Sequence, residues 1–157
     1  MNATSFIKSV LHNIGIVILC VALAYLGTII DSLLGIPRFS SLLTTIFGVL
    51  LLSLGFLLRV WAVVHFYNRR MRVISLEPQS SLVTTGPYRY SRNPLYLGAN
   101  VFCFFGAALL LGSPTFLILT ALHLPLINLL IRREERQLEQ KFGDEFRAYK
   151  TRVRRWF

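Results

Sequence analysis

The sequence predicts an all-α integral membrane protein. Four transmembrane helices are expected, the third and fourth paired as a hairpin, with a C-terminal amphipathic helix at the cytosolic face. Three observations predict it. Hydrophobic residues make up 54% of the 157-residue chain and charged residues only 15%, more apolar surface than a domain of this size can hide from water. The apolar residues fall in uncharged runs long enough to cross a bilayer. The cations flank those runs instead of interrupting them, as membrane topology requires.

The run from Ser9 to Ile30 holds 22 residues without Asp, Glu, Lys or Arg. It exceeds a signal-peptide core and predicts a retained first helix over about Leu11–Ile30. Asp31 to Ser41 reads as a loop broken by Gly35 and Pro37. A second helix starts near Ser41 and continues past Arg59 to Tyr67, beyond the hydrocarbon, which puts Arg59 near the interface. Asn68–Arg92 is the only long polar connection.

Asn93 to Ile131 is then 39 residues without a formal charge. A straight helix of that length would run roughly 58 Å, about twice the hydrocarbon thickness. Gly112-Ser113-Pro114 at its centre is a turn signal, so the run divides into a third helix (about Pro94–Leu111) and a fourth (about Thr115–Ile131). Pro125 is expected to kink the fourth. Beyond Arg132 the chain is charged, with Leu138, Phe142, Phe146, Tyr149, Val153 and Trp156 at helical spacing. This apolar stripe lies on the membrane surface or against the bundle, and Gly143 can bend it. The 157 residues read as one domain: two helices over 1–67, a connection over 68–92, the hairpin over 93–131 and the amphipathic segment over 132–157.

Formal net charge is +10. With four spans, and with Arg59 at the interface counted there, all 17 Lys and Arg residues except Arg38 fall on one side, which the positive-inside rule makes cytoplasmic, together with both termini. Cations placed in this way disfavour a nucleic-acid partner. Arg152, Arg154 and Arg155 read as a solvated face touching anionic headgroups. Cys20 and Cys103 sit in apolar runs and read as buried thiols, with no metal site. No internal repeat and no mid-membrane charge suggests a transporter.

The hairpin puts two polar clusters on one face. One is Gly86–Gly98, GPYRYSRNPLYLG, whose Gly-Pro and Asn-Pro turns bracket aromatics and cations. The other is Glu134-Glu135. Tyr88, Arg89, Arg92, Asn93, Tyr96, Glu134 and Glu135 could line one cavity there, polar outside and lipid-like within. His65 and His123 are candidates for a base, and His123, Asn100 and Asn128 read chiefly as hydrogen-bonding groups between helices.

LVTTGPYRYSRNPLYLG, a helical hairpin and then RREERQLEQKFGDEFRAYKTRVRRW resemble the isoprenylcysteine carboxyl methyltransferase and phospholipid methyltransferase group of integral membrane enzymes. The likeness covers about Ser80–Trp156, and LLRVWAVVHF upstream is also similar. It implies methyl transfer from S-adenosyl-L-methionine to a lipophilic or lipidated acceptor drawn from the membrane, either a prenylcysteine-like carboxylate or a lipid headgroup. It implies cofactor binding by Ser81, Leu82, Val83, Tyr88, Arg92, Asn93, Pro94, Leu95, Tyr96, Glu134 and Glu135. In this scheme Glu134 accepts bonds from the ribose diol or the ammonium group, and Tyr88 and Tyr96 cover the adenine or the cation. The backbone of Ser81-Leu82-Val83 pairs with adenine, and Arg89 or Arg92 meets the carboxylate. Two departures stand out. Asn93 replaces the family's usual His, and Asn cannot carry charge. Leu130 stands where some members have an arginine. Arg59, Arg132 or Arg133 is left to supply that cation, with Arg59 and Arg133 as the catalytic candidates. The alternative to an enzyme is a small bundle that binds anionic lipid or a partner protein.

Overall fold

The computed structural model describes residues 3–68 and 81–157. Its long helices are α1 (Ala3–Leu33) and α2 (Leu42–Asn68), α3 (Pro94–Leu111) and α4 (Pro114–Arg152). A short 3-10 turn, Gly86–Arg89, precedes α3. Among the described residues there is no strand. All four helices are long and apolar enough to cross a membrane, and the chain is a membrane protein. Outward-facing side chains such as Val17, Ile18, Leu54 and Leu57 are exposed, and acyl chains would cover them. Of the polar connection at 68–92, Asn68 and residues 81–92 are described.

Each turn has a local cause. Ser41 and Thr44 cap α2 reciprocally: Thr44 N–H donates to Ser41 Oγ at 3.1 Å and Ser41 N–H to Thr44 Oγ1 at 3.0 Å, the logic of a capping box. Gly112 closes α3 with φ +60, where a side chain would be strained. Ser113 then caps α4 by accepting from Phe116 N–H at 3.1 Å, and Pro114 takes the first helical position. Buried Asp31, near the end of α1, accepts from Ser113 Oγ and, at 3.2 Å, from Thr115 N–H. One carboxylate thus ties α1 to the start of α4.

α2 and α3 touch backbone to backbone. A Cβ added at Gly55 would meet the Gly98 carbonyl at 2.5 Å, and one at Gly106 would meet the Gly48 carbonyl at 2.9 Å. Small residues that let two helices approach this closely are a principal source of cohesion inside a bilayer, where the hydrophobic effect between helices is absent. The middle of α3, Leu97–Cys103, is wound as π-helix. Arg59 Nη1 donates to the Leu95 carbonyl at 3.0 Å just before that winding begins.

Two boundaries depart from the sequence reading. α1 extends beyond Leu11–Ile30 at both ends. The fourth helix begins at Pro114 and does not stop at Ile131. The charged sequence that follows is rich in Arg, Glu, Gln, Leu and Lys, all strong helix formers, so leaving the apolar run does not end the helix. It is interrupted at Gly143 (φ 49, ψ −120), a conformation essentially reserved for glycine. There the chain folds back, and Lys150 Nζ reaches Glu139 Oε2 at 3.0 Å. Phe146, Tyr149 and Val153 bury themselves with Leu82 and pack against Leu138 and Phe142. The apolar stripe is therefore spent against the protein.

Candidate functional site

The Gly86–Gly98 segment is held from three sides. Gly86 has φ +62, and a Cβ there would meet the His65 ring at 2.7 Å. His65 Nε2 lies 2.9 Å from Thr85 Oγ1, which fixes the segment to the end of α2. The 3-10 turn then buries Pro87 and Tyr88. Tyr88 packs with Ala62 and Val83, with Leu95 alongside. Burial pushes the Tyr88 phenol well above its ordinary pKa, so it stays a neutral hydrogen-bonding group. Arg89 lies over the Tyr90 ring.

The third side is the C-terminal fold-back. Tyr149 Oη donates to the Tyr88 carbonyl at 2.6 Å. Arg92 N–H donates to the Arg154 carbonyl at 3.0 Å, and Ser91 Oγ to the Arg155 carbonyl at 3.1 Å. Asn93 Nδ2 donates to that same carbonyl at 3.3 Å, so the Asn93 amide holds the chain end. Pro94 then opens α3.

Two contacts bring the paired acids to this segment. Tyr96 Oη donates to Glu134 Oε1 at 2.7 Å. Arg92 Nε donates to Glu135 Oε1 at 3.0 Å, while Arg92 Nη1 serves the Val153 carbonyl at 2.7 Å. Glu135 is also held by Arg155, whose Nη2 lies 2.6 Å from Oε2. Arg155 Nη1 goes on to Asn128 Oδ1 at 3.1 Å. Both Glu135 oxygens are thus committed to guanidinium groups. The carboxylate is buried, and removing either arginine would leave its charge short of a partner. Glu134, on the outer side, is engaged among the described residues only through Oε1.

The site residues named from sequence therefore divide. Tyr88, Arg92, Asn93, Pro94, Leu95, Tyr96, Glu134 and Glu135 come together at one end of the bundle, and Val83 lies beneath Tyr88. Leu82 turns its side chain into the fold-back cluster, and Ser81 is exposed beside it. Arg59 is half-buried, bonded to the Leu95 carbonyl and, through Nη2 at 2.6 Å, to Asn13 Oδ1. Arg133 is exposed on α4. His123 bonds Asn100 Oδ1 at 3.1 Å, as expected of an interhelical pair.

Arg155 is a correction. It does not join Arg152 and Arg154 on a solvated face, because Glu135 and Asn128 hold its guanidinium. A signal was present in the sequence. Glu135 and Glu139 before Gly143 are mirrored by Lys150 and Arg155 after it, which is the charge pattern of a helix that doubles back. Asn13 was missed, and no pattern in the sequence marked it; Tyr149 was read only as part of the apolar stripe, without its bond to the Tyr88 carbonyl.

A family model described as Phospholipid methyltransferase matches residues 43–145. The match takes in more than half of the chain, including α2, the Gly86–Gly98 segment and both acids. The chain belongs to the phospholipid methyltransferase family. The family's subject is methyl transfer on lipid-type substrates, in keeping with four apolar helices. The chain is also similar to an uncharacterized protein of Haemophilus influenzae, 69% identical over 26 residues. That stretch is 17% of this chain and 41% of the relative, so the chain spans about two fifths of the curated relative's length. No solved structure matches significantly.

Proposed function

We propose that the chain transfers a methyl group from S-adenosyl-L-methionine to a lipophilic acceptor at the cytosolic membrane face. The observation that carries this reading is the 2.7 Å contact between Tyr96 and Glu134. It joins the two segments through which the sequence resembles membrane methyltransferases. S-adenosyl-L-methionine, when bound, supplies an electrophilic methyl group on a sulfonium.

The residues suit that group. Glu134 is exposed and has one oxygen oriented by Tyr96, so it can accept from a diol or an ammonium group. Tyr96 supplies an aromatic face for a cation. Glu135 acts by position. Clamped between Arg92 and Arg155, it sets the geometry of the Ser91–Asn93 segment relative to α4. Arg59 fits a place near the reacting end better than Arg133, because it is half-buried and bonded one residue from Tyr96. The backbone of Ser81-Leu82-Val83 borders the same end. The acceptor, a carboxylate or an amine on a lipid, would enter from the bilayer. Catalysis would then rest on alignment and the exclusion of water.

The test is transfer of labelled methyl from S-adenosyl-L-methionine into a lipid extract by protein reconstituted in vesicles. Glu134→Gln should fold, with an unchanged Tm within about 2 °C, and lose transfer at least 100-fold. Absence of both transfer and cofactor binding in the unmodified protein would overturn the proposal.

A further inference from the structure

A cleft of about 530 Å³ opens between α4 and its fold-back, on a flank away from Tyr96 and Glu134. Leu129, Arg132, Arg133, Glu135, Arg136 and Glu139 line it from α4, and at about 100° per residue they fall within roughly 160° of arc, one side of that helix. Glu134 is two residues from both Arg132 and Arg136 and therefore projects from roughly the opposite face. Lys150 and Arg155 line the cleft from the fold-back.

Its charge is strongly one-sided. Glu135 is already neutralised by Arg92 and Arg155, and Glu139 by Lys150 at 3.0 Å and Arg147 at 3.5 Å. Among the described residues, no carboxylate forms an ion pair with Arg132, Arg133 or Arg136. Three guanidinium groups therefore remain for an anion from outside the chain, and guanidinium matches the oxygen pairs of a phosphate group. The depth of the cleft is equally informative. The apolar run of α4 ends at Ile131, and exposed Leu129 lines the cleft beside the first cation. A ligand seated there meets hydrocarbon on one side and arginines on the other. Phospholipids have that order of chemistry, whereas free phosphate has no use for Leu129.

We propose that this cleft is a binding site for the phosphate headgroup of an anionic phospholipid in the adjoining leaflet, on the flank of α4 opposite Glu134 and sharing Glu135 and Arg155 with the clamp of the proposed methyl-transfer site. Bound lipid ties α4 to its fold-back and so braces the Glu135 clamp. The proposal does not depend on methyl transfer, and its test contains no methyl donor.

Detergent-solubilised protein is titrated with dioleoyl phosphatidylglycerol, dioleoyl phosphatidylcholine or inorganic phosphate. Tm is followed, and native mass spectrometry counts bound lipid. Phosphatidylglycerol near saturation should raise Tm by roughly 5 °C with one lipid retained per chain, and phosphatidylcholine should not. Arg132→Gln/Arg136→Gln should abolish both effects, while Arg152→Gln/Arg154→Gln, which removes the same charge elsewhere, should keep them. Equal shifts with both lipids, or equal losses in both double variants, would overturn the site. The full shift from inorganic phosphate alone would overturn the lipid as its ligand.

Discussion

Arg155 meets Glu135 across 20 positions of chain, with Nη2 2.6 Å from Oε2. The contact exists only because α4 breaks at Gly143 and returns. It places the chain end over the Arg92 segment, so candidate site and fold-back are one mechanical unit.

Arg155→Ala should therefore destabilise the protein although the residue is partly exposed. Glu135 keeps Arg92, so the loss is about 2 kcal/mol, less than for a fully stripped buried charge. Tm should fall by roughly 6 °C. Arg155→Lys should recover less than half of this in thermal unfolding, because an ammonium cannot replace the forked contacts.

Gly143→Ala should cost about 1–3 kcal/mol through backbone strain alone. Apart from the local backbone, nothing lies within 4 Å of a Cβ built there, so crowding from the rest of the fold plays no part. Gly143→Asn should be no milder, since φ 49 with ψ −120 lies outside the left-handed helical well that Asn tolerates. Thermal unfolding of the three proteins checks the ranking.

Gly98→Ala should cost about 1–3 kcal/mol, because its Cβ would meet the Gly55 carbonyl at 2.6 Å in a packed interface. Gly15→Ala, in α1 with nothing within 4 Å, should be neutral or stabilise by up to about 1 kcal/mol. A denaturation series in lipid would distinguish the two.

Asp31→Ala removes the carboxylate that Ser113 and Thr115 share and should cost about 1–2 kcal/mol. Adding Ser113→Ala should cost less than the sum of the single changes, because both act on one network. A double-mutant cycle in Tm measures the coupling.

Tyr96→Phe should leave folding intact and weaken S-adenosyl-L-methionine binding about tenfold, the scale of one hydrogen bond to a charged group. In calorimetric titration, an unchanged affinity would separate Tyr96 from the proposed site.

Much of the fold could be read in advance. Gly112-Ser113-Pro114 marked the hairpin, and the structure turns there. Gly143 marked the bend. The expected meeting of the Tyr96 segment with Glu134-Glu135 followed from topology, since two crossings return the chain to its starting side. The division of labour within that pair could not be read. Glu134 and Glu135 are neighbours of the same type, and a helix turns them about 100° apart. One faces outward to Tyr96 and the other inward to two arginines.

Sequence alone settled which segments prefer lipid to water, where the backbone must turn, and that the chain is helical. Those properties depend on composition and on local backbone freedom. Only the folded chain decided the π-winding of α3, the contact between the Gly55 and Gly98 backbones, and the assignment of Arg155 to Glu135. Each of these depends on which surfaces meet at distances of a few ångströms. A charged side chain carries no mark of its partner until the backbone has brought the two within reach.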